Sequence, residues 1–172
     1  MAPISGCSKL KGIGLQHFSL EYEGGKEMPV EKSNVVKGAY VDIPEGRLHY
    51  RTAGSGPALI INPPAGFGPV HFLDIIPLLA KSYTVMAIDM FGHGESDPPP
   101  EPSTIEDGTR ILAHFLDAHN IDRTNVLAQH TGAGISVAFA ARYPDRVIKM
   151  VLEGSPDWDE DVRAQLKQRT VG

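Results

Sequence analysis

Four short apolar runs, ALIINP (58–63), YTVMAIDM (83–90), NVLAQH (125–130) and VIKMVLEG (147–154), punctuate the chain with segments of helical character between them. Runs that stay apolar at successive positions suit strands buried on both faces, which is the signature of a parallel sheet. Parallel neighbours need long crossovers, and helices normally supply them. The spacing therefore predicts an α/β fold: a mostly parallel sheet with helices on both faces.

The intervening segments fit that scheme. AYVDIP and RLHYRTAG flank Glu45-Gly46 and predict a β-hairpin ahead of the first run. HFLDIIPLLAK has helical spacing interrupted by Pro77. Ser103 or Thr104 is placed to cap the next helix, with Glu106 and Asp107 in its first turn and apolar Ile111, Leu112, Phe115 and Leu116 along one side, running to about His119. GAGISVAFAARYP predicts a small-residue helix stopped by Pro144. Residues 1–36 are polar and poorly periodic, and predict a loosely ordered leader with a short strand at LQHFSLEY. Residues 37–172 form the domain, in which DWDEDVRAQLKQRTVG (157–172) predicts a charged, cap-like helix.

Bulk properties narrow the partners. A chain of 172 residues fits one domain with a real core. A net charge of −5 leaves no basic footprint for nucleic acid. One cysteine, Cys7, cannot form an internal disulfide and suits a reducing compartment. No apolar stretch reaches the ~18 residues that cross a bilayer, and the N-terminus lacks a secretory apolar core, so a cytoplasmic location without membrane contact is the default expectation. His17, His49, His71, His114 and His119 have no metal-ligand spacing, and read as surface or packing residues; no metal and no cofactor are expected. GAG (132–134) lacks the full G-x-G-x-x-G of a dinucleotide loop.

Ligands on open parallel sheets sit at the carboxyl ends of the strands, which directs attention to the loops after Ile61, Met90, His130 and Glu153. Three stretches there are informative together: GRLHYRTAGSGPALIINPPAGFG, YTVMAIDMFGHGESD and NVLAQHTGAGISVAFAARYPDRVIKMVLEGSP. From Gly38 to about Pro156 the chain resembles the first two thirds of an α/β-hydrolase, up to that family's sixth strand, and is expected to be truncated after that strand and one helix. The resemblance implies a nucleophile elbow, normally G-x-S-x-G, between the third buried run and the helix. In that family the nucleophile stands about fourteen positions before the proline of the A-R-Y-P type segment. Counted back from Pro144, that place is His130, and the motif becomes Ala128-Gln129-His130-Thr131-Gly132. A register with Thr131 as nucleophile needs an insertion and puts Ala133 where a close-packed glycine belongs.

An imidazole on that turn points toward the cleft at a helix N-terminus, where the dipole favours a neutral ring able to act as base or nucleophile. Glu153 ends the neighbouring strand, where some relatives, certain haloalkane dehalogenases among them, keep the triad acid, so the resemblance implies a His130–Glu153 contact. The family's first oxyanion donor comes from the loop that reads Asn62-Pro63-Pro64-Ala65-Gly66 here. Proline has no N–H, which leaves Ala65 or Gly66 to donate. The Thr131 N–H is the second donor, and Asn62 and Thr131 are candidates for orienting a substrate oxygen. Asp89 and His93 in IDMFGHGESD are expected to shape their turn rather than catalyse. Read as truncated, the domain is not expected to complete the family's order Ser…Asp…His.

Two functions are compatible with these residues. One is a hydrolase-like enzyme acting on a small organic molecule (ester, lactone or epoxide) through His130. The other is a catalytically degenerate hydrolase-fold binding or interaction module. VIKMVLE as an apolar edge strand adds a third expectation, that the tail helix covers it or a second copy of the chain pairs with it.

Overall fold

The computed structural model describes residues 34–98 and 104–154. The expected leader through residue 33, the candidate cap Ser103 and the expected helix at 157–172 lie outside the described residues. Six strands form one sheet: β1 (Lys37–Ile43), β2 (Gly46–Ala53), β3 (Ala58–Asn62), β4 (Thr84–Ile88), β5 (Thr124–Gln129) and β6 (Val147–Glu153), in the spatial order β1-β2-β4-β3-β5-β6. β4, β3, β5 and β6 run parallel, while β1 and β2 join through antiparallel pairs. Gly46 belongs to β2, opposite Ile43, so the hairpin turns on Pro44-Glu45, one residue earlier than the sequence suggests.

Alternation along β3 shows why the central runs are apolar throughout. Leu59 and Ile61 face one side with Val85 and Ala87, against Phe72, Ile76 and Ala80. Ile60 faces the other side, within a cluster that includes Leu48, Ile88, Leu112, Phe115, Leu116 and Phe139. Each face has its own helices, so no position between them can be polar without losing hydration. Phe115 is fully buried, and its truncation to alanine costs about 3–5 kcal/mol.

The helices differ in length for local reasons. The segment with Pro77 yields a short 3₁₀ turn (Pro69–Phe72) and the four-residue α1 (Ile76–Leu79), rather than one continuous helix. α2 (Ile105–Ala118) starts at a reciprocal cap: the Asp107 N–H donates to Thr104 Oγ1, and the Thr104 N–H donates to Asp107 Oδ2. Those Thr104 bonds and Arg110 hold the Asp107 carboxyl well below its ordinary range, at about 2. α3 (Thr131–Arg142) packs beside α2 and gives way to a 3₁₀ turn at Pro144–Arg146.

The turn after β4 is braced from beneath. Asp89 is buried, accepts from His49 Nδ1 at 2.7 Å and from the Glu95 N–H at 3.2 Å, while Ser96 Oγ donates to its carbonyl. His49 is 2% exposed, which places it among the packing histidines. The Tyr40 hydroxyl, followed by the charge of His49, holds the nearby Glu95 carboxyl below its ordinary range.

Candidate active site

β5 passes into α3 through a single residue. His130 has φ 49° and ψ −116°, a backbone conformation that non-glycine residues rarely adopt and that costs about 1–3 kcal/mol. Its N–H donates to the Glu153 carbonyl at 3.0 Å, and its carbonyl accepts from the Gly134 N–H at 3.1 Å. The bend thus hangs between the end of β6 and the first turn of α3.

The tightness of the bend explains the glycine two positions on. A Cβ at Gly132 would overlap the backbone oxygens of Asn62 and Pro63. Neither oxygen can move without disturbing β3, so helix and strand meet here only through glycine. Asn62 secures the same junction: its buried amide NH₂ donates to the Gly132 carbonyl at 3.2 Å and to Ser136 Oγ at 3.3 Å, and its Oδ1 has no hydrogen-bond partner among the described residues.

The His130 ring is exposed and lies over Gly154, where an added Cβ would stand 3.1 Å from both Cε1 and Nε2. The expected side-chain contact with Glu153 does not form: no hydrogen bond or ion pair joins the two side chains, and the residues meet through the backbone. The cause is register. Gln129 pairs with Glu153 across the parallel β5–β6 ladder, which carries His130 one step further, to Gly154.

Beside the bend, a cavity of about 480 Å³ opens between the loops after β3 and β4 and the N-terminal turns of α2 and α3. Its walls are largely carbon, from Pro63, Met90, Phe91, Ile105, Ile111 and Ile135. Thr104, Thr131 and His93 add polar atoms. The six candidate residues therefore divide into two sets. Thr131 and Ala65 share the cavity wall; His130, Glu153, Asn62 and Gly66 do not line it.

His93 is the residue whose place the sequence reading missed. It was expected to shape its turn, and its Nδ1 does bond the Phe91 carbonyl at 3.0 Å, yet the ring also lines the cavity. Its position in the carboxyl-end loop after β4 is the signal that could have pointed there.

Sheet order, the sharp strand-to-helix bend and the cleft point to a protein class, and comparison with known proteins agrees. The sequence model of the alpha/beta hydrolase fold family matches residues 57–169, and the chain belongs to that superfamily. It is 35% identical over 125 residues to a 2-hydroxy-6-oxononadienedioate/2-hydroxy-6-oxononatrienedioate hydrolase of Paraburkholderia xenovorans (strain LB400), covering 67% of this chain and 43% of the relative. It is 32% identical over 129 residues to haloalkane dehalogenase 2 of Mycobacterium bovis, covering 73% of this chain and 44% of the relative. Among solved structures, the epoxide hydrolase CorEH superposes with a TM-score of 0.68 at 21% identity, over 78% of this chain and 50% of that one, a likeness of fold. The chain spans less than half the length of these two curated relatives. Among the described residues, no helix is long and apolar enough to cross a membrane.

Proposed function

We propose that this chain is a hydrolase-like enzyme acting on a small organic molecule, with His130 as general base. The observation that carries this reading is the strained backbone at His130. Glycine would hold the same turn at lower cost, so an imidazole kept there at about 1–3 kcal/mol is best explained by work done by the ring. Relatives named as a hydrolase and as a haloalkane dehalogenase support a small organic substrate.

The chemistry is acyl transfer to water or its epoxide equivalent. An ester or lactone seats its apolar part in the cavity, with the carbonyl oxygen at the Thr131 N–H, a donor at the first position of α3 with no partner among the described residues. A ring nitrogen of His130 takes a proton from water as the water oxygen bonds to the carbonyl carbon. Collapse of that adduct breaks the carbon–oxygen bond, and the ring returns the proton to the departing alkoxide. Turnover of a panel of aryl esters, lactones and epoxides by wild type and His130→Ala tests the reading.

A second reading, a binding module without turnover, has its own support: no carboxylate bonds the His130 ring among the described residues, and Pro63 and Pro64 remove two N–H groups from the oxyanion loop. In that case the same panel raises thermal stability and is not consumed.

A further inference from the structure

We propose that the cavity selects an uncharged, largely apolar molecule bearing a hydroxyl group, and that His93 Nε2 accepts the hydrogen bond from that hydroxyl. His93 is then a specificity-determining residue. The inference shares the cavity with the proposed function but does not depend on turnover.

The cavity wall supplies the first half of the case. No Lys, Arg, Asp or Glu lines it among the described residues. A carboxylate or ammonium entering the space between Phe91, Ile111 and Ile135 gives up its water and meets no opposite charge, which is costly. Its volume of about 480 Å³ falls in the range of small-molecule sites, about 300–1,000 Å³. An uncharged molecule with one ring or a short chain fills it without that loss.

The polar inventory supplies the second half. Thr104 Oγ1 is committed to the α2 cap, taking the Asp107 N–H and donating to Asp107 Oδ2 at 2.7 Å. Thr131 Oγ1 makes no hydrogen bond among the described residues, so it can donate or accept. His93 is different in kind. Its Nδ1 lies 3.0 Å from the Phe91 carbonyl, which can only accept, so Nδ1 carries the proton. In the neutral ring Nε2 is then left with a lone pair. The Thr131 N–H and hydroxyl can serve a ligand oxygen, but the fixed acceptor at His93 is satisfied only by a ligand that brings its own donor, which discriminates against an analogue that lacks it.

The test is binding, at about pH 8 where imidazole is ordinarily neutral, by ligand-observed NMR titration of wild type with three probes of matched shape: 3-phenylpropan-1-ol, propylbenzene and 3-phenylpropanoate. The alcohol is expected to bind about tenfold tighter than propylbenzene and at least about tenfold tighter than the carboxylate. His93→Phe is expected to bring the alcohol and propylbenzene to within about twofold of each other with propylbenzene binding retained, and His93→Gln to keep part of the preference. A measurement on wild type alone covers the case where a variant does not fold: the ¹⁵N resonance of His93 Nε2 moves upfield with the alcohol and not with propylbenzene. Equal or tighter binding of the carboxylate, no binding of any probe, or an Nε2 resonance indifferent to the alcohol overturns the proposal. Preference for the alcohol without turnover of any ester leaves it standing and removes the catalytic reading instead.

Discussion

The imidazole of His130 rests on the backbone of Gly154, the residue that follows β6, with no side chain between them. Gly154 has φ 57°, so alanine there is strained as well as crowded, at 3.1 Å from two ring atoms. Gly154→Ala is expected to displace the ring and lower kcat by about tenfold or more, with little change in KM, because Gly154 is not among the residues that line the cavity. Steady-state kinetics on the best ester of the panel gives the answer. An unchanged kcat would mean that the ring's seat is irrelevant to catalysis.

Gly132→Ala tests the junction below the bend. The new methyl group meets the backbone oxygens of Asn62 and Pro63, atoms that cannot yield as a side-chain end can. A loss of about 1–3 kcal/mol or more is expected in denaturant unfolding. A variant as stable as wild type would show that α3 does not approach β3 this closely.

The α2 cap makes a prediction about acid. The Asp107 carboxyl titrates at about 2 in the folded chain, below its ordinary 3.8, because Thr104 and Arg110 bond its charged form. A depressed folded value means that the charged form stabilises the fold at neutral pH, and that this contribution fades as pH falls from about 4 toward about 2. Asp107→Asn is expected to flatten the acid dependence of stability in that window. A carboxyl resonance of Asp107 with a midpoint near 4 would contradict the cap.

At the far end of the described sheet, β6 carries exposed Ile148, Val151 and Leu152, with Val151 62% exposed. An open apolar edge of this kind favours pairing with another strand. We propose a second copy as its partner. Sedimentation velocity is expected to show self-association that rises with concentration and weakens in Val151→Lys. A monomer at every concentration would remove the proposal.

How far the sequence disclosed all this depends on the kind of signal. The central strands were legible because a strand covered on both faces must be apolar at every position, as Leu59, Ile60 and Ile61 are, whereas β6, read from a similar apolar run, is largely exposed among the described residues. The bend was legible through the family resemblance, whose pattern counted back from Pro144 arrives at His130. Which side chains converge was not. Ile105, Ile111 and Ile135 look like ordinary helix-face residues until α2 and α3 are packed together. His49 sits in an alternating strand, forty positions from Asp89, and only the β2–β4 pairing brings them to 2.7 Å. Glu153 failed as a side-chain partner for His130 because a parallel register, invisible in one sequence, sets Gly154 beside the ring.

The most direct test of a working imidazole at the bend is turnover by His130→Ala beside wild type, on the same ester, lactone and epoxide panel, with circular dichroism confirming the fold of both. Wild type is expected to turn over at least one member, and the variant to lose about 10²–10⁴-fold, the usual contribution of a general base. Turnover by His130→Ala at the wild-type rate would contradict the catalytic role assigned to that ring.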